Sequence, residues 1–214
     1  MIAEPVDCPL CEVDDCEPWG VEYGGHRIVR CRSCGLRYVN PRRGLDEDRL
    51  IYDTRYFERH RAREGDERER DLVRQRDQAS IELILRFTPR DRPSLLDLGA
   101  GTGSFLRLAR DDGRFGRLVA ADVSSANVEA FASAGIPLHV GTVAELDLTP
   151  FDVVAVHHVL EHVLDPNGFL IAVRRLLVED GIMHILVPNE GSFTSRSNST
   201  GLKFRIAASA SASV

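Results

Sequence analysis

The stretch Ser94-Leu-Leu-Asp-Leu-Gly-Ala-Gly-Thr-Gly-Ser-Phe105 decides the fold. Its first half is a short apolar run typical of a buried parallel strand, and its second half is a glycine-rich turn from which a helix begins. Glycines at every second position let the backbone turn sharply and approach a ligand without a collision from Cβ. A dinucleotide fingerprint would need its third glycine at position 104, which is Ser104. The stretch therefore predicts a strand–turn–helix ligand site that lacks the spacing of a nicotinamide-binding loop.

Short apolar runs alternate with helical segments on both sides of this stretch. Buried strands are predicted at 95–98, 118–121, 138–140, 151–156 and 182–187. Helices are predicted over 103–112, 124–134 and 165–178, with Asp165-Pro166 beginning the last and Gly135 and Gly181 as C-terminal caps. The alternation predicts an α/β fold with a doubly wound, Rossmann-like parallel sheet, whose ligands bind at the carboxyl ends of the strands.

Two carboxylates indicate which chemical class of ligand the turn binds. Asp97 stands two residues before the first glycine, where a negative charge disfavours a pyrophosphate and suits a ligand that carries positive charge. Asp122 ends the second strand, where doubly wound folds place the carboxylate that accepts the hydroxyls of a ribose. Together they predict a nucleoside with a cationic tail.

All five cysteines lie within the first 34 residues, as Cys8, Cys11, Cys16, Cys31 and Cys34. The first two and the last two form CxxC pairs, a spacing that predicts a tetrahedral Zn²⁺ site in a small zinc ribbon. Cys16 is left over as an incidental thiol. Two disulfides are the alternative, which a chain without a secretory leader disfavours. Short strands are predicted at 26–30 and 36–40 to carry the second pair.

Composition limits the class of protein and its partners. The chain has 214 residues, 43% hydrophobic and 28% charged, as in ordinary globular proteins. Its net charge of −6 disfavours a nucleic-acid partner. No apolar run approaches the roughly 18 to 20 residues of a membrane span, and the acidic N-terminus lacks the features of a secretory signal. A cytoplasmic protein without a membrane partner is expected.

Four segments are predicted along the chain: the zinc ribbon at 1–41, a charged linker and amphipathic helix at 42–92, the Rossmann-like core at 93–190 and a Ser/Ala-rich, disordered tail at 191–214. The helix is expected at about 66–87, with an apolar face of Leu72, Ala79, Leu83 and Phe87. The charges around it are interpreted as a solvated face. An aromatic group at 52–57 needs burial against another part of the protein.

Residues 94–189 resemble the class I S-adenosylmethionine-dependent methyltransferases, whose first motif is D-x-G-x-G-x-G followed by an acidic residue ending the second strand. The segment Phe151-Asp-Val-Val-Ala-Val-His-His-Val-Leu-Glu-His-Val163 is similar to the family's fourth strand and its L-E-H segment. One bacterial branch also carries a CxxC…CxxCG module and a Y-D-x-x-Y-F segment like that at 52–57. The resemblance implies S-adenosylmethionine as cofactor, structural Zn²⁺, and a small-molecule acceptor such as a sugar or secondary metabolite.

Site residues follow from this resemblance. Cofactor contacts are implied for Asp97, Gly99, Gly101, Gly103, Asp122, Val143 and His157. Zinc ligation is predicted for Cys8, Cys11, Cys31 and Cys34. His158 and His162 are the candidate catalytic bases, because imidazole removes protons near neutral pH. Two alternatives stay open for these histidines: bracing of the loop, or metal ligation through His158, Glu161 and His162.

The end of the chain predicts a further property. A class I methyltransferase sheet usually has seven strands, and the tail does not read as the missing pair. The chain is therefore expected to be C-terminally incomplete, with low turnover and an unpaired strand at 182–187 that invites self-association. The rival functions are a non-catalytic module that contacts protein or nucleic acid, and a nicotinamide-dependent oxidoreductase, which the glycine spacing disfavours.

Overall fold

The structure is a computed structural model that describes residues 4–19, 27–42 and 67–189. Its helices and strands are β1 Cys16–Pro18, β2 Ile28–Cys31, β3 Arg37–Val39, α1 Glu67–Phe87, β4 Leu95–Leu98, α2 Ser104–Asp112, β5 Leu118–Asp122, α3 Val128–Ser133, β6 Leu138–Val140, β7 Phe151–His157, α4 Pro166–Arg175 and β8 Leu177–Leu186. Short 3₁₀ turns at Val143–Glu145 and Leu160–His162 follow β6 and β7. Within these ranges, no helix combines the length and the apolar character of a membrane span. The aromatic group at 52–57 and the predicted tail lie outside the described residues.

The main sheet confirms the doubly wound α/β prediction. Its described strands run in the order β6-β5-β4-β7-β8, and each neighbouring pair is parallel. Side chains alternate across the sheet, so Leu95 on β4 packs with α1 and α2 while Leu96 packs with α4. Because β4 is central and buried throughout, the turn that follows it lies at the middle of the carboxyl edge.

The boundary between α4 and β8 differs from the prediction. The helix ends at Arg175 rather than at 178, and Gly181 lies inside β8 rather than at a helix cap. Pairing of β8 begins at Leu177, opposite Phe151, and resumes at Ile182, opposite Val153, across a register shift. The early pairing ends the helix, and the irregular segment accommodates the extra residues of β8. The predicted cap at Asp165-Pro166 is confirmed, since the Asp165 side chain accepts from the Gly168 amide at 2.9 Å.

Helix α1 is present as predicted, but the predicted apolar face was wrong. Leu72 and Phe87 are 58% and 57% exposed. The buried side chains of the helix are Asp77, Ser80, Ile81 and Ile84. The two isoleucines enter the core beside α2. That packing turns Asp77 toward Ser104, the first residue of α2. Helix α1 therefore buries a carboxylate next to the glycine-rich turn.

The N-terminal residues form a separate antiparallel sheet. Its described strands pair in the order β1-β2-β3, with Cys16 opposite Cys31. The two predicted strands are present with shifted ends, whereas β1 was not predicted. The Arg37 guanidinium, on β3, lies 3.9 Å from the centre of the ring of Trp19, which follows β1. This is a cation–π contact.

Candidate functional site

The glycine-rich turn leaves open space at one position. Gly101 has φ +54°, and a Cβ placed there would find no atom nearer than the Gly99 carbonyl oxygen at 3.9 Å. A Cβ at Gly99 would collide with the Val159 side chain, and one at Gly103 would lie 2.7 Å from the Phe131 ring. Two of the three glycines are therefore required for packing, and the third borders a space that a ligand can occupy.

Asp122 and Asn127 hold this turn from the neighbouring strand and helix. The Gly101 amide donates to Asp122 Oδ2 at 2.9 Å, and the Ser124 amide donates to Oδ1 at 2.9 Å. Asn127, which is 5% exposed, donates from Nδ2 to the Gly101 carbonyl at 3.0 Å. The carboxylate at the end of β5 is thus oriented by backbone donors. Asn127 was missed, because a lone asparagine before a helix reads as an ordinary cap.

A group of acidic side chains lies beneath the turn. Asp97 is 3% exposed, and its burial, followed by the negative charges of Asp77 and Asp122, raises its pKa well above the usual value. Burial also raises the pKa of Asp77. Arg76 opposes that effect by donating to Asp77 Oδ1 from Nε at 3.0 Å and from Nη2 at 2.7 Å. The sequence interpretation placed both residues in a solvated charge run, so this ion pair beside the turn was missed.

His157 and His158 point into different surroundings. His157 Nε2 lies 2.8 Å from His184 Nδ1, and its ring centre lies 4.5 Å from that of Phe105. Burial, followed by the proximity of His184, holds the pKa of His157 well below its usual value. A neutral imidazole packed in this way braces the ends of β7 and β8 against α2.

His158 is more exposed and has an unusual backbone. Its φ is +57°, a left-handed conformation that costs a non-glycine residue about 1 kcal/mol or more. Its Nδ1 lies 3.4 Å from Glu161 Oε1, and its Nε2 lies 3.4 Å from Arg76 Nη1. The other Glu161 oxygen, Oε2, is buried with no hydrogen-bond partner among the described residues. His162 is exposed, with Nε2 4.0 Å from Glu161 Oε1.

The loop after β6 lies beside Asp122. The Gly141 amide donates to the Asp122 carbonyl at 2.9 Å, and Val143 begins the 3₁₀ turn that follows. Glu145 Oε2 accepts from the Thr142 amide and hydroxyl at 2.6 and 2.8 Å, which fixes the turn. Val143 packs partly buried against the apolar face of the sheet. The loop is therefore hydrogen-bonded to the end of β5 and packs Val143 against the sheet.

The four predicted zinc ligands lie together. Their Sγ atoms are all within 4.8 Å of one another, with 3.5 Å between Cys8 and Cys34 and 3.6 Å between Cys11 and Cys31. A tetrahedron with metal–sulfur bonds of about 2.3 Å has edges of about 3.8 Å, so the four thiolates fit one Zn²⁺. The Cys34 amide hydrogen bond lowers the pKa of Cys31 to about 7, which favours the thiolate that a metal requires.

The cysteines are the one such group in the part of the chain that the structure describes. His158, Glu161 and His162 do not form such a group among these residues. Cys16 lies outside the cysteine cluster, as predicted.

A comparison of the sequence with known protein families agrees with this fold and this turn. The methyltransferase domain family matches residues 72–210. The chain belongs to the methyltransferase domain family. No curated protein sequence matches the chain.

The fold of this methyltransferase domain is shared by a solved structure. An S-adenosylmethionine-dependent methyltransferase from Thermotoga maritima has a TM-score of 0.53 at 19% identity, covering 70% of this chain and 66% of the other. The N-methyltransferase NodS from Bradyrhizobium japonicum WM9, solved with S-adenosyl-L-homocysteine, has a TM-score of 0.48 at 18% identity, covering 58% of this chain and 65% of its own. The chain thus spans less than two thirds of the length of both proteins.

Proposed function

We propose that this protein transfers a methyl group from S-adenosylmethionine to a small-molecule acceptor, with a sugar or secondary metabolite as the leading class. The observation that carries the proposal is the open space at Gly101, whose amide donates to the Asp122 carboxylate, with the buried Asp97 carboxyl close enough to Asp122 for the two charges to interact. Acidic groups around a glycine-rich turn suit a nucleoside with a positively charged tail better than a dinucleotide pyrophosphate.

The residues around this space fit the parts of the cofactor. Asp122 would accept the ribose hydroxyls, and Val143 would cover one face of the adenine. Asp97 would face the amino group, and Arg76 offers a guanidinium for the carboxylate at the same end. When bound there, S-adenosylmethionine supplies a methyl group on a positively charged sulfur that is already activated for displacement. The protein's task is then to orient the acceptor and exclude water.

His158 is the better placed of the two candidate bases. Glu161 Oε1 lies 3.4 Å from Nδ1. A proton shared with it there would favour the tautomer with a lone pair on Nε2, the nitrogen that would take a proton from the acceptor hydroxyl or amine. Arg76 lies 3.4 Å from that nitrogen, so the cofactor carboxylate would compete with His158 for the guanidinium. The strained backbone of His158 is typical of residues held for function. His162, farther from Glu161, is the second candidate.

The zinc would have a structural role. Four thiolates fill the coordination sphere of Zn²⁺ and leave no open position for substrate. Cys8, Cys11, Cys31 and Cys34 would then stabilise the N-terminal module, which has too few residues for a core of its own.

Isothermal titration with S-adenosylhomocysteine tests the cofactor assignment. The parent protein should bind it, whereas NAD should not bind. Asp122→Ala should weaken the affinity by about 1 to 3 kcal/mol, because the ribose hydroxyls lose a charged acceptor and the Gly101 amide loses its partner. Asp147→Ala removes an exposed carboxylate of the same domain and serves as control. Equal affinities for all three proteins would place the cofactor elsewhere and refute the proposal.

A screen of small-molecule acceptors tests the second part of the proposal, methyl transfer to an acceptor. Formation of S-adenosylhomocysteine is followed with hydroxyl- and amine-bearing sugars and secondary metabolites. For an accepted substrate that must lose a proton, His158→Gln should lower turnover by roughly 100-fold or more, while the affinity for S-adenosylhomocysteine is retained. Turnover that survives this change and disappears with His162→Gln would move the base to the second histidine.

A further inference from the structure

The four-cysteine module contacts the loop that carries the candidate catalytic histidines. Arg42, which follows β3, donates from Nη1 to the Leu164 carbonyl oxygen at 2.8 Å. Asn167, in the first turn of α4, donates from Nδ2 to the Leu10 carbonyl oxygen at 3.0 Å. Each side of this contact therefore donates one hydrogen bond to the other, and the paired residues are far apart in the sequence. Together they connect the module to both sides of the α4 N-terminus.

On the module side, the Leu10 contact depends on the arrangement of the cysteines, and the Arg42 contact depends on the segment that leads into Cys8. Leu10 lies between Cys8 and Cys11, in a turn closed by a hydrogen bond from the Glu12 amide to the Cys8 carbonyl at 2.8 Å. An ion held by the four thiolates would fix this turn and therefore the direction of the Leu10 carbonyl. Arg42 is held by a pair of backbone hydrogen bonds with Glu4, each 3.1 Å long.

On the other side, the loop 158–167 has few backbone hydrogen bonds of its own. The His158 amide donates to the Leu186 carbonyl at 2.8 Å, and the His162 amide to the Val159 carbonyl at 2.9 Å. The Val163 amide makes a longer bond of 3.3 Å to Leu160. The contacts to Leu164 and Asn167 come directly after this 3₁₀ turn. They therefore limit where the turn and its two histidines lie.

We propose that Arg42 and Asn167 are positioning residues that form a clamp, through which metal occupancy of the four cysteines sets the position of loop 158–167. This inference rests on the proposed function, in which the loop forms the acceptor side of the site. The residues assigned to the cofactor, such as Gly101 and Asp122, are held by hydrogen bonds within the catalytic domain. Loss of the metal therefore loosens the acceptor side and leaves cofactor affinity largely unchanged.

Hydrogen exchange followed by mass spectrometry tests the clamp on the full-length protein. Zinc-loaded protein and protein stripped of zinc by a chelator are compared for a peptide that covers 158–167. Stripping zinc should accelerate exchange of this peptide about tenfold, the size expected for losing two tertiary hydrogen bonds of which one is charge-assisted. The double variant Arg42→Ala/Asn167→Ala should show the same acceleration with zinc bound, and little more when zinc is removed.

Arg32→Ala is the matched control, because Arg32 pairs with Asp15 and Glu17 inside the module. In Arg32→Ala, the peptide that covers 158–167 should exchange at the same rate as in the parent protein. The clamp is refuted if the double variant keeps the parental protection, if Arg32→Ala loses as much, or if stripping zinc accelerates the double variant a further tenfold. Titration with S-adenosylhomocysteine separates the two proposals: zinc-dependent protection in a protein that does not bind this ligand refutes the cofactor assignment and supports the clamp.

Discussion

Replacing Asp97 by Asn should stabilise the fold while weakening the cofactor site. The side chain is 3% exposed, and burial together with Asp77 and Asp122 raises its pKa. A raised carboxyl pKa means that ionisation is harder in the folded chain than in the unfolded one, so the group opposes folding at neutral pH. Asparagine keeps the shape of the side chain and cannot ionise.

The size of the gain follows from the surroundings. Burial of one ionised carboxylate costs several kcal/mol. The positive charge of Arg76 offsets part of that cost for Asp97. Asp97→Asn should therefore raise the free energy of unfolding by about 1 to 3 kcal/mol at pH 8. For a chain of this size, each kcal/mol corresponds to about 2 to 4 °C in Tm. The loss of a charged partner for the cofactor ammonium should weaken S-adenosylhomocysteine binding by about tenfold or more.

The pH dependence has a definite sign. Below about pH 4, Asp97 is protonated in both the folded and the unfolded chain, so the substitution should have little effect on stability. As the pH rises through the ordinary pKa of aspartate, only the unfolded chain ionises freely, and the advantage of the variant grows. It becomes constant above the raised pKa of the folded state. Urea unfolding at several pH values measures this profile.

Asp152→Asn provides the matched control on the neighbouring strand. Burial alone would raise the pKa of Asp152, but hydrogen bonds from Ser94 and the charge of Arg90 lower it overall. This carboxylate stabilises the fold above its ordinary pKa, and the stabilisation is lost as the pH falls through its lowered value. The variant should therefore be destabilised by about 1 kcal/mol at neutral pH. The reasoning is refuted if Asp97→Asn destabilises the protein at pH 8 in the same way, or if its effect does not change with pH.

Three shorter predictions concern the metal, the turn and the histidine. Metal analysis should find one Zn²⁺ per chain, lost in Cys31→Ser and retained in Cys16→Ser; the reverse pattern would overturn the ligand assignment. Gly103→Ala should lower thermal stability more than Gly101→Ala, because only a Cβ at position 103 meets the Phe131 ring. Equal melting temperatures for the two alanine variants would contradict this packing argument. Any bulky residue at position 101 should abolish S-adenosylhomocysteine binding. Glu161→Gln should lower turnover on an identified acceptor by roughly tenfold or more through the wrong histidine tautomer, with unchanged cofactor affinity; unaltered turnover would remove Glu161 from the mechanism.

The sequence by itself determined the class of the fold and the region of the site. The apolar run before three spaced glycines predicted β4 and its turn, because strand periodicity and glycine conformation are local properties. The CxxC pairs predicted the cysteine cluster for the same reason, since a tight turn brings two thiols together without help from distant residues. The order of strands and helices then predicted a parallel sheet with its ligand edge at Gly101 and Asp122.

Tertiary packing decided the rest. Which face of α1 is buried depends on the sheet beneath it, so the stripe around Asp77 and Ile81 replaced the face expected from apolar spacing alone. The pairing of Leu177 with Phe151 ended α4 earlier than its own residues indicated, because strand pairing competes with the last helical turn. The contact of Arg42 with Leu164 joins segments that no local pattern relates, and for that reason it could be found only in the folded chain.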